Sequence, residues 1–324
     1  MRGRWPRILR PTLGAAVLLL VIAGTDPAVI AARLAGANLA IALPAVLGLT
    51  AMHLVPAAAW RAILATGGGI RLSWASSISV YYAAQAIGGI TPANLGGDLH
   101  RAGTLRSWGQ GWQASVGPLV IQRATSYLAL SGLALASLLL LAGRAPEAAG
   151  LVVAGFALAL AVGLVAWLLV LPPAWLRGTQ RRLLAMAGDG ETEPAAAPGL
   201  ARSTLVGLAS GLVFHAGSIG LTWLLVLSVD PHAGTLLLPA ALAVARLALA
   251  VPLTPSGIGL QEGTLVLLIS ALGMSPDGAL AALLLGRLAL LLTTLVGVGL
   301  LVRGHAGRPE LAAGSQAGSV TAAR

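Results

Sequence analysis

The sequence predicts an all-α integral membrane protein of about eight transmembrane helices, with one or two re-entrant broken hairpins in two pseudo-repeated halves. Three observations carry that prediction: the composition, the spacing of charges along the chain, and two glycine- and proline-rich breaks that match each other. Of the 324 residues, 57% are apolar and 9% charged, and the mean hydropathy is +0.89. A soluble domain carries roughly 25% charged residues, so this chain has a bilayer as its solvent.

Charge-free intervals locate the spans. They run for 15 residues between Arg10 and Asp26, 27 between Arg33 and Arg61, 26 between Arg71 and Asp98, and 20 between Arg123 and Arg144. Two more, of 29 and 27 residues, lie between Glu147 and Arg177 and between Arg202 and Asp230. Beyond Asp230 the intervals shorten to 15, 15 and 14 residues, separated by Arg246, Glu262 and Asp277. About 20 apolar residues make one helical crossing, so several of these charges lie at membrane depth or at its edge. The N-terminal run reads as an uncleaved first helix, because Pro11 to Gly24 leads into Asp26-Pro27 without a small-x-small cleavage site.

Arginine placement sets the topology. If every interval crossed once from a cytoplasmic N-terminus, seven arginines would face inward and ten outward, inverting the positive-inside rule. If the segment 81–106 enters the membrane and returns to the same side, fifteen face the cytoplasm and only Arg33 and Arg144 face outward. Both termini are then cytoplasmic. The expected organisation is an N-terminal membrane half (1–171), a cytoplasmic linker (172–203), a C-terminal membrane half (204–303) with its own broken motif (252–263), and a disordered cytoplasmic tail (304–324).

The two breaks have one pattern. Around Gly88 the chain reads Gly-Gly-Ile-Thr-Pro-Ala-Asn-Leu-Gly-Gly-Asp, and later Val-Pro-Leu-Thr-Pro-Ser-Gly-Ile-Gly-Leu-Gln-Glu-Gly. Each has Thr-Pro, a glycine four residues after the proline (Pro92 to Gly96, Pro255 to Gly259) and an acid just beyond, Asp98 or Glu262. Proline removes a backbone donor and glycine costs about 1 kcal/mol against alanine in a helix, so Pro92, Gly96, Gly97, Pro255, Gly257 and Gly259 are the expected structural breaks. Paired broken segments in corresponding halves point to a transport site.

All twenty basic residues are arginine and there is no cysteine, which excludes a Walker A loop, Schiff-base chemistry, thiolate metal sites and disulfides. The five histidines have no helical ligand spacing, no catalytic motif stands out, and no cofactor or nucleic-acid partner is expected.

Pro92 to Arg101 resembles the first signature of the flippase-like membrane domain of lysylphosphatidylglycerol synthases and their stand-alone relatives. Pro255 to Gly263 is similar to its second signature, and Leu285-Gly286-Arg287-Leu288 to the arginine of its last helix. The resemblance runs from the first helix to Val302. It implies lipid translocation or a related membrane role without lipid aminoacylation, since this sequence has no counterpart of the transferase domain. Family members commonly carry an acid before the arginine that follows the first signature, whereas this chain has Gln122-Arg123.

The expected substrate-binding residues are Asp98, Arg101, Gln122, Arg123, Gln261, Glu262 and Arg287. Intramembrane arginine costs at least about 2.5 to 3.5 kcal/mol on insertion scales, so Arg123 and Arg287 imply a carboxylate or a lipid phosphate, and both are expected to face one cavity. Arg246 reads as snorkelling to the cytoplasmic interface. Asp98 and Glu262 could equally cap the helices that follow them. Tyr81, Tyr82 and Gln85 are further candidates for the cavity. The function expected is movement of an amphipathic lipid with an anionic or phosphate-bearing head across a prokaryotic inner membrane, with membrane lipids as partners. The alternatives are an accessory or scaffold protein of lipid or hopanoid biosynthesis, working with other proteins of that pathway, and a lipid-modifying enzyme using Asp98 or Glu262 as base.

Overall fold

The computed structural model describes residues 27–67, 69–91, 94–142, 157, 161, 199–233, 237–247, 259–272, 275–304 and 310–311. The expected first helix (11–25), the interval 148–176 apart from residues 157 and 161, and most of the linker lie outside the described residues, as do Pro92, Pro255 and Gly257.

In chain order the helices are α1 (Pro27–Ala35), α2 (Leu39–Ala51), α3 (Leu54–Gly67), α4 (Trp74–Gly88), α5 (Leu95–Ser107), α6 (Trp112–Ala142), α7 (Leu200–Val229), α8 (Leu237–Arg246), α9 (Leu260–Ala271) and α10 (Asp277–Arg303). The strand β1 (Ile70–Arg71) pairs antiparallel with β2 (Glu310–Leu311), so two residues of the tail are paired. Four apolar helical stretches among the described residues are long enough to cross a membrane: Leu39–Gly67, Ala114–Leu141, Leu200–Val229 and Asp277–Arg303. At 1.5 Å per residue the shortest of these covers about 40 Å, more than a hydrocarbon core of about 30 Å. The first is α2 and α3 in series with a turn at Met52-His53, where Pro56 has no N–H to continue the ladder. α7 starts at Leu200, inside the stretch expected as linker.

The first break differs from expectation in extent. The hairpin runs from Trp74 to Ser107, wider than 81–106, with α4 ending at Gly88 and α5 beginning at Leu95. The polar run Trp74-Ala-Ser-Ser is helical because Ser73 caps it, its hydroxyl accepting from the Ser76 amide at 3.1 Å. The second break ends at Gly259 (φ +83°), from which α9 begins.

α7 is the central helix, packed on α2, α3, α6 and α10. A Cβ at Gly207 would collide with Thr125 Oγ1, and one at Gly211 would meet Ser126 Cα at 2.9 Å, so the small-xxx-small spacing lets α6 and α7 approach closely. α10 lies against α4 in the same manner, with Gly297 over the Tyr82 carbonyl. The polarity is that of a chain solvated by lipid. Leu39, Leu43, Leu47, Leu205, Leu212, Leu291 and Leu295 face outward, while Ser76, Ser77, Thr125, Ser218, Thr222 and Thr293 are buried.

Contacts between helix ends define two poles. At one, Arg33 pairs with Asp230 at 2.8 Å and Gly278 packs on Asp230. At the other, the Thr66 and Ser203 hydroxyls are 2.7 Å apart, near the β1–β2 pair that follows α3.

Candidate functional site

The first ionic cluster is built on the turn between α4 and α5. Asn94 takes the left-handed conformation (φ +59°, ψ +24°) and its amide donates to Gln85 Oε1 at 3.0 Å. The Thr91 hydroxyl accepts from the Gly96 amide and donates to the Gly88 carbonyl, each at 2.9 Å. Gly97 lets the two helices touch, since a Cβ there would collide with the Ala84 carbonyl oxygen. This turn points Asp98 at two guanidinium groups. Its Oδ1 accepts from Arg101 at 2.6 Å and its Oδ2 pairs with Arg123 on α6 at 2.8 Å. The second nitrogen of the Arg101 fork donates to Gln122 Oε1 at 2.7 Å, and Gln122 Nε2 donates to the Pro56 carbonyl. Arg101 also lies over the Trp60 and Tyr81 rings, 5.6 and 5.2 Å from their centroids. Those aromatic faces replace water around a buried cation.

The second cluster sits at the start of α9. Glu262 Oε2 accepts from the Gly259 amide at 2.9 Å, capping the helix, while Oε1 receives the Nε and a terminal nitrogen of Arg287 from α10. Capping and ion pairing, alternatives in the sequence, are both present in this one carboxylate. Its side chain is only 2% exposed.

Each cluster borders a cavity. The first, of about 290 Å³, is lined by Pro56, Gln85, Arg101, Gln122, Arg123 and Ser210 among others. The second, of about 240 Å³, is lined by Leu49, Thr222, Arg246, Gln261, Glu262 and Arg287 among others. Three residues line both: His53, Phe214 and Leu290. Two helical segments give the same order. Along α2–α3 the sequence is Leu49, then His53, then Pro56, and along α7 it is Thr222, then Phe214, then Gly207, passing from the second cavity to the first. The cavities are therefore stacked along the bundle, the first nearer the Thr66–Ser203 pole and the second nearer the Arg33–Asp230 pole. The His53 and Phe214 rings, 5.5 Å apart, stand between them.

The expectation that Arg123 and Arg287 share one cavity is thus corrected. Their helices place them in adjacent cavities, with His53, Phe214 and Leu290 between. Tyr81 and Gln85 do line the first cavity, but the Tyr82 hydroxyl donates to the Thr50 carbonyl at 2.8 Å, at the turn between α2 and α3. Gln261 lies with Glu262 in the second cavity. Arg246 faces that cavity with its Nε buried, so it does not snorkel. Sequence reasoning misses Trp60, Phe214, the Pro56 carbonyl and the place of His53, none of which carries a signal at the level of spacing. The acid absent before Arg123 is supplied from α5 as Asp98, and Gln122 serves Arg101 instead. No group of three metal-ligating side chains occurs among the described residues.

No curated protein matches the chain. The family described as the lysylphosphatidylglycerol synthase TM region matches residues 7–297, which include both ionic clusters. The chain belongs to that family of membrane proteins.

Proposed function

We propose that the protein is a translocator that moves an amphipathic lipid with an anionic, phosphate-bearing headgroup between the leaflets of a prokaryotic inner membrane, with both of its termini in the cytoplasm. The observation that carries this reading is the inner cluster. Two guanidinium groups, Arg101 and Arg123, share the carboxylate of Asp98 at the wall of a 290 Å³ cavity, two cations to one anion in this cluster of the described residues. Guanidinium stays protonated in proteins and matches a phosphate bidentately.

The hairpin geometry supports the transport reading. α4 and α5 have 15 and 13 residues, α8 and α9 have 10 and 12, and the members of each pair pack on each other. At about 1.5 Å per residue none of the four crosses a bilayer alone, so each pair acts as a re-entrant hairpin, one in each half. Irregular backbone at that depth is tolerated where it lines a wet cavity. The Arg33–Asp230 pole faces outward, because the opposite pole collects Arg71, Arg106, Arg202 and Arg303 at its helix ends. A headgroup enters the inner cavity from the cytoplasmic leaflet and passes His53 and Phe214, while its acyl chains stay outside the bundle.

The test is leaflet exchange of labelled phosphatidylglycerol in proteoliposomes. Exchange above protein-free vesicles that is abolished in Asp98→Asn supports the reading. Exchange no faster than in empty vesicles, from correctly inserted protein, refutes it and favours an accessory role in lipid synthesis.

A further inference from the structure

We propose that β1 is a docking edge for an extended strand, and that the C-terminal tail seated on it is a releasable strap that restrains the α4–α5 hairpin. β1 lies in the link between α3 and the first arm of that hairpin. Its two residues alternate, Ile70 inward at 2% exposure and Arg71 outward. Ile70 shares a core with Trp60 of α3, Val80 of α4 and Leu105 of α5. Just beyond β1, the Leu72 carbonyl accepts from Arg61 Nε at 2.7 Å, and the same guanidinium lies 4.7 Å over the Trp74 ring at the start of α4. β1 is thus fastened to both arms of the hairpin, and its outer edge offers backbone groups to another strand.

β2 occupies that edge, with Leu311 opposite Ile70 and Glu310 opposite Arg71 in antiparallel register. Six residues separate Arg303, the last of α10, from Glu310, so α10 delivers the strand at a high effective concentration. A ladder of two residue pairs is marginal by itself. A weak contact on a short tether closes readily and opens readily. α10 and α4 already touch within the bundle, with Gly297 against the Tyr82 carbonyl. The strand pair joins α10 to the hairpin a second time, at the helix ends.

The strap reaches the Asp98 cluster through the core beneath it. Trp60 is fully buried in the core that holds Ile70, and its ring is 5.6 Å from the Arg101 guanidinium. Leu105, of the same core, is one turn beyond Arg101 on α5. Release of β1 therefore loosens the seat of Arg101, which holds Asp98. In the translocation reading the hairpin moves against α10 as the inner cavity opens and closes, so a docked tail is a brake. The inference rests on that reading only for the sign of the effect on lipid movement.

The chain has no cysteine, so Arg71→Cys/Glu310→Cys reports docking by disulfide formation in the full-length protein in proteoliposomes. Directly opposed residues of an antiparallel pair have Cα atoms within disulfide reach. This pair is expected to cross-link roughly tenfold faster than Arg71→Cys/Ser315→Cys, which is out of register. In Glu310→Pro/Leu311→Pro, which removes both strand N–H donors of β2, amide hydrogen exchange over residues 74–107 should rise while that of α7 stays at the parent's rate. Leaflet exchange of labelled phosphatidylglycerol should rise roughly fivefold in the proline variant, the low end of coupling between sites. It should fall in the oxidised 71–310 pair and return on reduction. Equal cross-linking of the two cysteine pairs overturns the docking. Parent-like hydrogen exchange over 74–107 in the proline variant shows a tail that restrains nothing and overturns the strap. So does lipid movement that falls in the proline variant, or that is indifferent to the cross-link. A parent that moves no lipid, yet whose hairpin loosens in the proline variant, refutes translocation and leaves the strap standing.

Discussion

Asp98 and Glu262 both open a short helix after a glycine-rich break, but they stand one residue apart in register. Glu262 is the third residue of α9, where a carboxylate reaches back to the cap amide, and it does so to Gly259. Asp98 is the fourth residue of α5, one position too far along, and both of its oxygens go to arginines. The cap of α5 falls instead to the Thr91 hydroxyl. The Glu262 carboxylate is thus part of the local fold, whereas that of Asp98 is given to charge alone. That offset explains why similar strings of residues yield one deeply buried acid, 2% exposed, and one at 18% exposure.

The comparison predicts unequal costs for removing each acid. Glu262→Ala loses a cap and leaves Arg287 without its carboxylate, so we expect about 3 kcal/mol, the lower end for breaking a buried pair. Glu262→Gln keeps an oxygen for the Gly259 amide and should be less damaging to folding while still impairing lipid movement. Equal loss of stability in the two variants, measured by denaturation in mixed micelles, would show that the cap contributes nothing. The glycines differ in kind as well. Gly97→Ala drives a methyl toward the Ala84 carbonyl and should cost about 1 to 3 kcal/mol by overpacking. Gly259→Ala should cost a similar amount for a different reason, its positive φ. Shortening the facing residue, with Ala84→Gly, cannot relieve a backbone clash, so the Gly97→Ala defect should persist in that double variant.

Asp98→Asn should cost less, about 1 to 2 kcal/mol, because the pair is partly solvated and the helix start is held elsewhere. A double-mutant cycle sharpens this. Arg101 retains Gln122, Trp60 and Tyr81 when Asp98 is removed. Coupling between Asp98 and Arg101 should be of the order of 0.5 to 3 kcal/mol, and Gln122→Ala should raise it, since the fork then depends on Asp98 alone. Coupling that is indifferent to Gln122 would mean that the hydrogen bond does not hold the fork.

Charge in an apolar sequence is conspicuous, so Asp98, Arg101, Arg123, Glu262 and Arg287 are legible from the order of residues alone. Which of them meet is not. The register that carries Arg123 to Asp98 and Arg287 to Glu262 depends on how α6 and α10 dock, and docking is set by Gly207, Gly211 and Gly297, which look ordinary among 42 glycines. The partition by His53, Phe214 and Leu290 joins residues 161 and 76 positions apart that share no motif. Arg246 departs from expectation because snorkelling assumes a lipid-facing helix side, whereas α8 is buried along Leu238 and Ala240–Ala245. The hairpin is longer than expected because arginine placement, which sets the bounds 81–106, carries no signal for a helix start: the helix begins at the Ser73 cap, and serines 76, 77 and 79 are buried, with Ser77 donating to the Ala57 carbonyl.

The smallest expected effect concerns the residue that takes over the capping role at the first break. Thr91 Oγ1 is both acceptor and donor, joining Gly96 to Gly88 across the turn. Thr91→Ser keeps the hydroxyl and loses a methyl, so stability should change by about a few tenths of a kcal/mol at most. Thr91→Val keeps the shape and loses the hydroxyl, leaving one amide without its partner, and should cost about 1 kcal/mol, as cap removal generally does. The ordering matters more than the size. If α5 is capped by Thr91 and not by Asp98, then Thr91→Val and Asp98→Asn act on different things and their effects add, within about 0.5 kcal/mol. Strong non-additivity in mixed-micelle denaturation would mean that the turn and the ion cluster form one unit, and that Asp98 shapes the helix start after all.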